Sequence, residues 1–132
     1  ASKYKLARQN NITNNLSWFE ISNGELSNVA TVNTSIDQDG FFDITWEGTE
    51  EWKFHHENDS PVVVVYNQTK DSAVIHLTTN KRSDQSAKIP CEQCTEGDVI
   101  ELFIFFTVHP FKHVNGGKAN VSNSKWIGQF IL

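Results

Sequence analysis

Chemistry in this sequence would have to come from its 5 histidines, 2 cysteines and 16 carboxylates. The histidines are His55, His56, His76, His109 and His113. His55 and His56 are adjacent, so on a strand they point to opposite faces and cannot share one metal ion. The cysteines form a lone Cys91-Glu92-Gln93-Cys94. A structural zinc site takes about four ligands. His109 and His113 would complete it only through a helical turn that Pro110 blocks. A redox site needs the motif at a helix start behind a strand. Here Pro90 precedes it, and Thr95-Glu96-Gly97-Asp98 reads as a loop entering a strand. A disulfide local to that loop is the first expectation, two free thiols the second, metal or redox chemistry the third.

The carboxylates pair along the sequence, as in Asp37 with Asp39 and Glu50 with Glu51. An acid–base pair must face one substrate across a cleft. Neighbours in a turn seldom do so, and solvated turn charges are the plainer reading. The segment Ser35-Ile36-Asp37-Gln38-Asp39-Gly40 fails as a calcium-binding EF-hand, because the position of its bidentate glutamate is Trp46. There is no Gly-x-Ser-x-Gly, no Walker loop and no dinucleotide-binding glycine pattern. No catalytic residue, metal or cofactor is assigned, and a hydrolase site assembled from distant residues has no positive support.

Recognition chemistry is better represented. Sugar sites pair an aromatic face, which stacks on the ring, with amide, imidazole or charged groups that bond the hydroxyls. Trp52-Lys53-Phe54-His55-His56-Glu57-Asn58-Asp59 offers such a set. So does His76 with Asn80, Lys81 and Arg82, provided that Val74, His76 and Thr78 face outward. The candidate ligand-binding residues are therefore Trp52, His55, His76, Asn80 and Arg82. The plainer alternative makes Trp52 and Phe54 core residues and His76 an ordinary half-exposed strand residue.

His76…Asn80-Lys81-Arg82, then Gly97-Asp98-Val99-Ile100-Glu101-Leu102-Phe103-Ile104 and Val114-Asn115-Gly116, resembles parts of galectins. That resemblance implies a lectin-like β-sandwich that binds galactosides. It spans under half the chain. The family's His and Asn lie two apart, against four here, and its Trp-Gly and Glu-x-Arg element is missing. No membership follows.

The elements that must position these groups are strands. Apolar residues recur with period two. Phe42, Ile44 and Trp46 oppose Asp43, Thr45 and Glu47. Ile100, Leu102, Ile104, Phe106 and Val108 form a long row whose alternates are also largely apolar, as in a strand buried on both faces. Val62 to Val65 is a β-branched run of the same kind. Trp126 to Leu132 reads as a final strand with a bulge at Gly128. Turns are expected at Asn23-Gly24, Asp39-Gly40, Glu57 to Pro61, Gly97-Asp98 and Asn115-Gly116-Gly117. Asn80 to Lys88 reads as an exposed loop. With 132 residues, one all-β domain spanning 1–132 is expected. Its form is an antiparallel, jelly-roll-like β-sandwich of about eight to ten strands with little or no helix.

Charge narrows the partners. The net charge of −5 and only one adjacent basic pair, Lys81-Arg82, exclude a phosphate-tracking nucleic-acid surface. An anionic membrane is also a poor partner. No apolar run reaches the ~18–20 residues of a spanning helix. The chain begins at Ala1 and has no Met, which suggests that an initiator or leader has been removed. Six Asn-x-Ser/Thr sequons occur, at Asn11, Asn15, Asn33, Asn58, Asn67 and Asn120. The composition predicts about two by chance. The excess favours a secreted or extracellular glycoprotein, against a cytoplasmic protein merely rich in Asn, Ser and Thr. The expected function is a non-catalytic, carbohydrate-binding module whose partner is a glycan or glycoprotein. The alternative is a protein-interaction, adhesion or toxin-like domain that oligomerises or docks through a strand edge or an aromatic patch.

Overall fold

The structure, a computed structural model, describes residues 20–49, 54–108 and 121–132. Trp18, Trp52, Glu50, Glu51, His109, His113, the Asn115-Gly116-Gly117 turn and the sequons at Asn11, Asn15 and Asn120 lie outside those residues. Seven strands are present among them: β1 Thr31–Ile36, β2 Phe41–Glu47, β3 Ser60–Asn67, β4 Ser72–Leu77, β5 Ser86–Pro90, β6 Val99–Thr107 and β7 Lys125–Ile131. They form two antiparallel sheets, ordered β1-β2-β5 and β4-β3-β6-β7. The architecture is an antiparallel β-sandwich, and the one helical piece among the described residues is the single 3-10 turn Arg82–Asp84.

Alternation decides which side chains fill the space between the sheets. Phe42, Ile44 and Trp46 of β2 meet Val63 and Val65 of β3, and Ile100, Leu102, Ile104 and Phe106 of β6, in one buried cluster. Phe42, Ile44, Val63 and the β6 residues of this cluster are completely buried. Each such side chain contributes about 1.5–3 kcal/mol. Phe42 packs on Phe130 with ring centroids 5.1 Å apart, and Trp46 meets Phe106 edge-on at 5.7 Å. As the continuous apolar runs suggested, β3 and β6 are buried on both faces: Val62, Val64 and Phe103 point away from the cluster and are still covered. In β7 the pairing skips Ile127, between Leu102↔Gly128 and Phe103↔Trp126, so the expected bulge adjoins Gly128.

Turn chemistry holds the register. Asp37 accepts hydrogen bonds from the amides of Asp39 and Phe41 and closes the β1–β2 hairpin, while Gly40 takes φ +81°, which few side chains tolerate. Asn23-Gly24 is not a hairpin turn. Residues 20–30 contain no strand, and Gly24 lies so close to the Val121 carbonyl that a Cβ would collide with it. The bare glycine is required for chain approach, a role that its Asn-Gly context does not reveal. Asn80 to Lys88 is mostly exposed, as expected, but it is not all loop. Arg82 begins the 3-10 turn and is buried, and β5 starts at Ser86.

The two cysteines are joined, Cys91 to Cys94, and both pack partly against the core where β5 passes to β6. No helix among the described residues is long and apolar enough to cross a membrane.

Candidate functional site

The outer face of the three-stranded sheet carries the polar residues that alternate with its core positions. On β2 these are Asp43 and Thr45. Directly opposite on β5 stand Lys88 and Ser86, and facing residues of an antiparallel pair share one side of the sheet. Asn80, on the segment leading from β4, joins them. Together Asp43, Thr45, Asn80, Ser86 and Lys88 line an open groove of about 390 Å³. The groove offers one carboxylate, one amide, two hydroxyls and one ammonium group. Its lining residues include no second carboxylate to pair with Asp43.

Lys88 is fixed in place by an ion pair with Asp37 at 3.0 Å, and its Nζ lies 5.4 Å from the centre of the Phe41 ring. The hydrogen bond from the Phe41 amide, followed by that from Lys88, holds the Asp37 carboxyl below its ordinary value. The same partnership with Asp37 raises the Lys88 ammonium. Both shifts keep the pair charged through the neutral range. Phe41 shares the face with Asp43 and Thr45 by strand alternation and is half-buried.

The four candidate residues that the structure describes do not gather at one place. Asn80 lies in the groove. His55 lies in an exposed segment after Phe54, a residue 79% accessible. His76 pairs with Val63, an inward residue, so it faces the inter-sheet side together with Val74. The outward-facing row on β4 is Ala73, Ile75 and Leu77, the reverse of the expectation. The cause is register: β3 turns Val63 and Val65 to the core, and the partners opposite must follow. The His76 Nε2 is buried without a hydrogen-bond partner among the described residues. Trp52 lies outside the described residues.

Arg82 is turned inward. Its guanidinium bonds both Asp59 Oδ2, at 3.1 Å from Nη2, and the Ser27 carbonyl, and it stacks 4.2 Å from the centre of the Phe106 ring. The Arg82 carbonyl accepts from the Trp46 indole at 2.9 Å. A planar cation with several donors suits this buried junction, because stacking covers its face while carboxylate and carbonyl satisfy its edge. Arg82 thus ties the β4–β5 crossing to the turn before β3, and its exposure is 6%.

A second polar cluster sits at the opposite end of the sandwich. Asn67 donates to Asp98 at 2.8 Å, the Thr95 amide donates to the same carboxylate, and Lys70 lies 3.3 Å from it. Burial pushes the Asp98 carboxyl up, but these hydrogen bonds and the Lys70 charge outweigh it, and the group is held below its ordinary value of 3.8. Asn67 is therefore a buried structural amide, 5% exposed. The sequon at Asn67 is thus not on the surface: the turn after β3 folds that side chain against Asp98 of the β5–β6 loop. Asn33 and Asn58 are exposed. Among the described residues no group of three or more His, Cys, Asp or Glu is placed to hold a metal ion.

The fold and site together define a two-sheet β-sandwich with a polar groove on one outer face. The chain belongs to DUF6266, a family of unknown function whose model matches residues 8–128. No curated protein and no solved structure matches it.

Proposed function

We propose that the domain is a non-catalytic binding module whose polar groove takes a carbohydrate. The observation that carries this reading is the convergence of Asp43, Thr45, Asn80, Ser86 and Lys88 on one open groove. Amide, hydroxyl and carboxylate groups on a rigid sheet match the paired donors and acceptors of sugar hydroxyls. Phe41 on the same face supplies an aromatic surface. A strand-built groove is also preorganised, so little ordering cost opposes binding. The partner is then a glycan or glycoprotein. The exposed Phe54-His55-His56 segment, with Asn58 close behind, is a second surface of suitable composition.

An extracellular location fits this reading. The Cys91–Cys94 disulfide suits an oxidising compartment, and the exposed Asn33 and Asn58 are free of the packing that buries Asn67. A glycan array probed with the folded protein tests the function. Saturable binding to a defined oligosaccharide class is expected; a flat response from protein with a verified β-type spectrum would remove the proposal.

The opposite sheet face favours a second role in protein contact. Ile75 and Leu77 of β4 are 62% and 79% exposed. They border an apolar groove of about 430 Å³ with Pro61, Val62, Phe105 and Val108.

A further inference from the structure

β4 ends the four-stranded sheet, and among the described residues no strand pairs with its outer edge. Such an edge leaves alternate N–H and C=O groups without ladder partners, and only another extended segment can meet them all. Edges are commonly blunted by lysine, proline or a bulge. Ser72-Ala73-Val74-Ile75-His76-Leu77 has no charged residue and no proline, and its register with β3 runs without interruption from Asn67↔Ser72 to Val62↔Leu77. Its outward row, Ala73, Ile75 and Leu77, is apolar and exposed.

We propose that this edge is a self-association surface, on which a second copy of the chain adds its own β4 antiparallel about a two-fold axis. This inference goes beyond the carbohydrate reading and does not depend on it, because the polar groove lies on the other sheet. The strand complements itself. Facing residues of an antiparallel pair share a side of the sheet, so a register centred on Ile75 sets Ile75 against its own copy and Leu77 against the small Ala73. The sheet then continues through both copies, with one apolar stripe across the junction. Charge agrees with the same arrangement. The net charge of −5 opposes self-association in general, but β4 carries none of it. Exposed Asp71 lies just before the strand and exposed Lys81 just beyond it. Antiparallel pairing sets Asp71 of each copy opposite Thr79 of the other, two positions from Lys81, while the neighbouring Lys70 is already engaged by Asp98 at 3.3 Å, so an Asp71–Lys81 attraction is made twice by symmetry.

Sedimentation or light scattering from micromolar to near-millimolar concentration tests this. The native chain should approach twice its monomer mass. Ile75→Lys sets two ammonium groups at the axis and should raise the dimer dissociation constant by at least about a hundredfold. Its side chain is exposed, so the far-ultraviolet spectrum should not change. Should that variant misfold, Ile75→Cys supplies an independent test. Directly opposed Cα atoms lie ~4.5–5.5 Å apart in such a pair, within disulfide reach of ~4.4–6.8 Å. Mild oxidation should then give a covalent dimer, with far less from Leu77→Cys, which opposes Ala73. A native chain that stays monomeric at the highest concentration overturns the proposal, as does a dimer that Ile75→Lys leaves intact.

Discussion

Arg82 shows how a residue type can suggest one role and its surroundings another. As part of Lys81-Arg82 it reads as a surface cation, yet its guanidinium is buried against Asp59 and Phe106. Removing one member of a buried pair costs about 3–5 kcal/mol, because the other charge is left uncompensated. Arg82→Ala should therefore lower stability by about that amount in urea unfolding; a loss under ~1 kcal/mol would show that the junction is not a structural hub. Nothing in the local pattern around Arg82 announced this, since the pairing with Asp59 spans 23 positions. Asn80 differs, for it lines the groove and is not part of the hydrophobic core cluster. Asn80→Ala should leave unfolding unchanged within ~0.5 kcal/mol and weaken glycan affinity about five- to tenfold, the cost of one or two hydrogen bonds. Titration calorimetry on both proteins reads the difference.

At the scale of elements, the strands were legible where both faces carried a signal. The β2 alternation separated Phe42, Ile44 and Trp46 from Asp43 and Thr45, and so exposed one wall of the groove in advance. The other wall was hidden, because Ser86 and Lys88 belong to a short strand whose polar alternates read as loop. Likewise, the sequence of β4 alternates polar and apolar weakly enough that its facing could be decided only by register with β3. The loops carry their own tests. Asp98 is held ionised by Asn67, the Thr95 amide and Lys70. A carboxyl with a depressed folded pKa contributes stability above its unfolded pKa and loses it as pH falls through the folded value. Stability should thus decline as pH drops below ~4, and Asp98→Asn should flatten that slope; an unchanged slope would show that the cluster does not couple to folding. The disulfide of the β5–β6 loop closes only a short segment, and chain entropy assigns it about 2 kcal/mol. Reduction should lower the unfolding midpoint without unfolding the protein at room temperature. Gly24→Ala should destabilise by about 1–3 kcal/mol, because the added methyl meets the Val121 backbone.

The whole molecule presents two unlike faces. The three-stranded sheet turns hydroxyl, amide and charged groups outward around a groove, while the β4 end of the other sheet turns Ile75 and Leu77 outward. Composition alone could not foresee this division, because it depends on which sheet each strand joins. Under the proposed readings a polar ligand and another protein surface would take separate places, so that neither need displace the other. The most direct test of the carbohydrate reading is a backbone and side-chain NMR titration of the folded protein with the best ligand from a glycan array. Shift changes should concentrate at Asp43, Thr45, Asn80, Ser86 and Lys88, with Ile75 and Leu77 unmoved. Changes confined to the β4 face, or to the Phe54–His56 segment, would contradict the groove as the binding site.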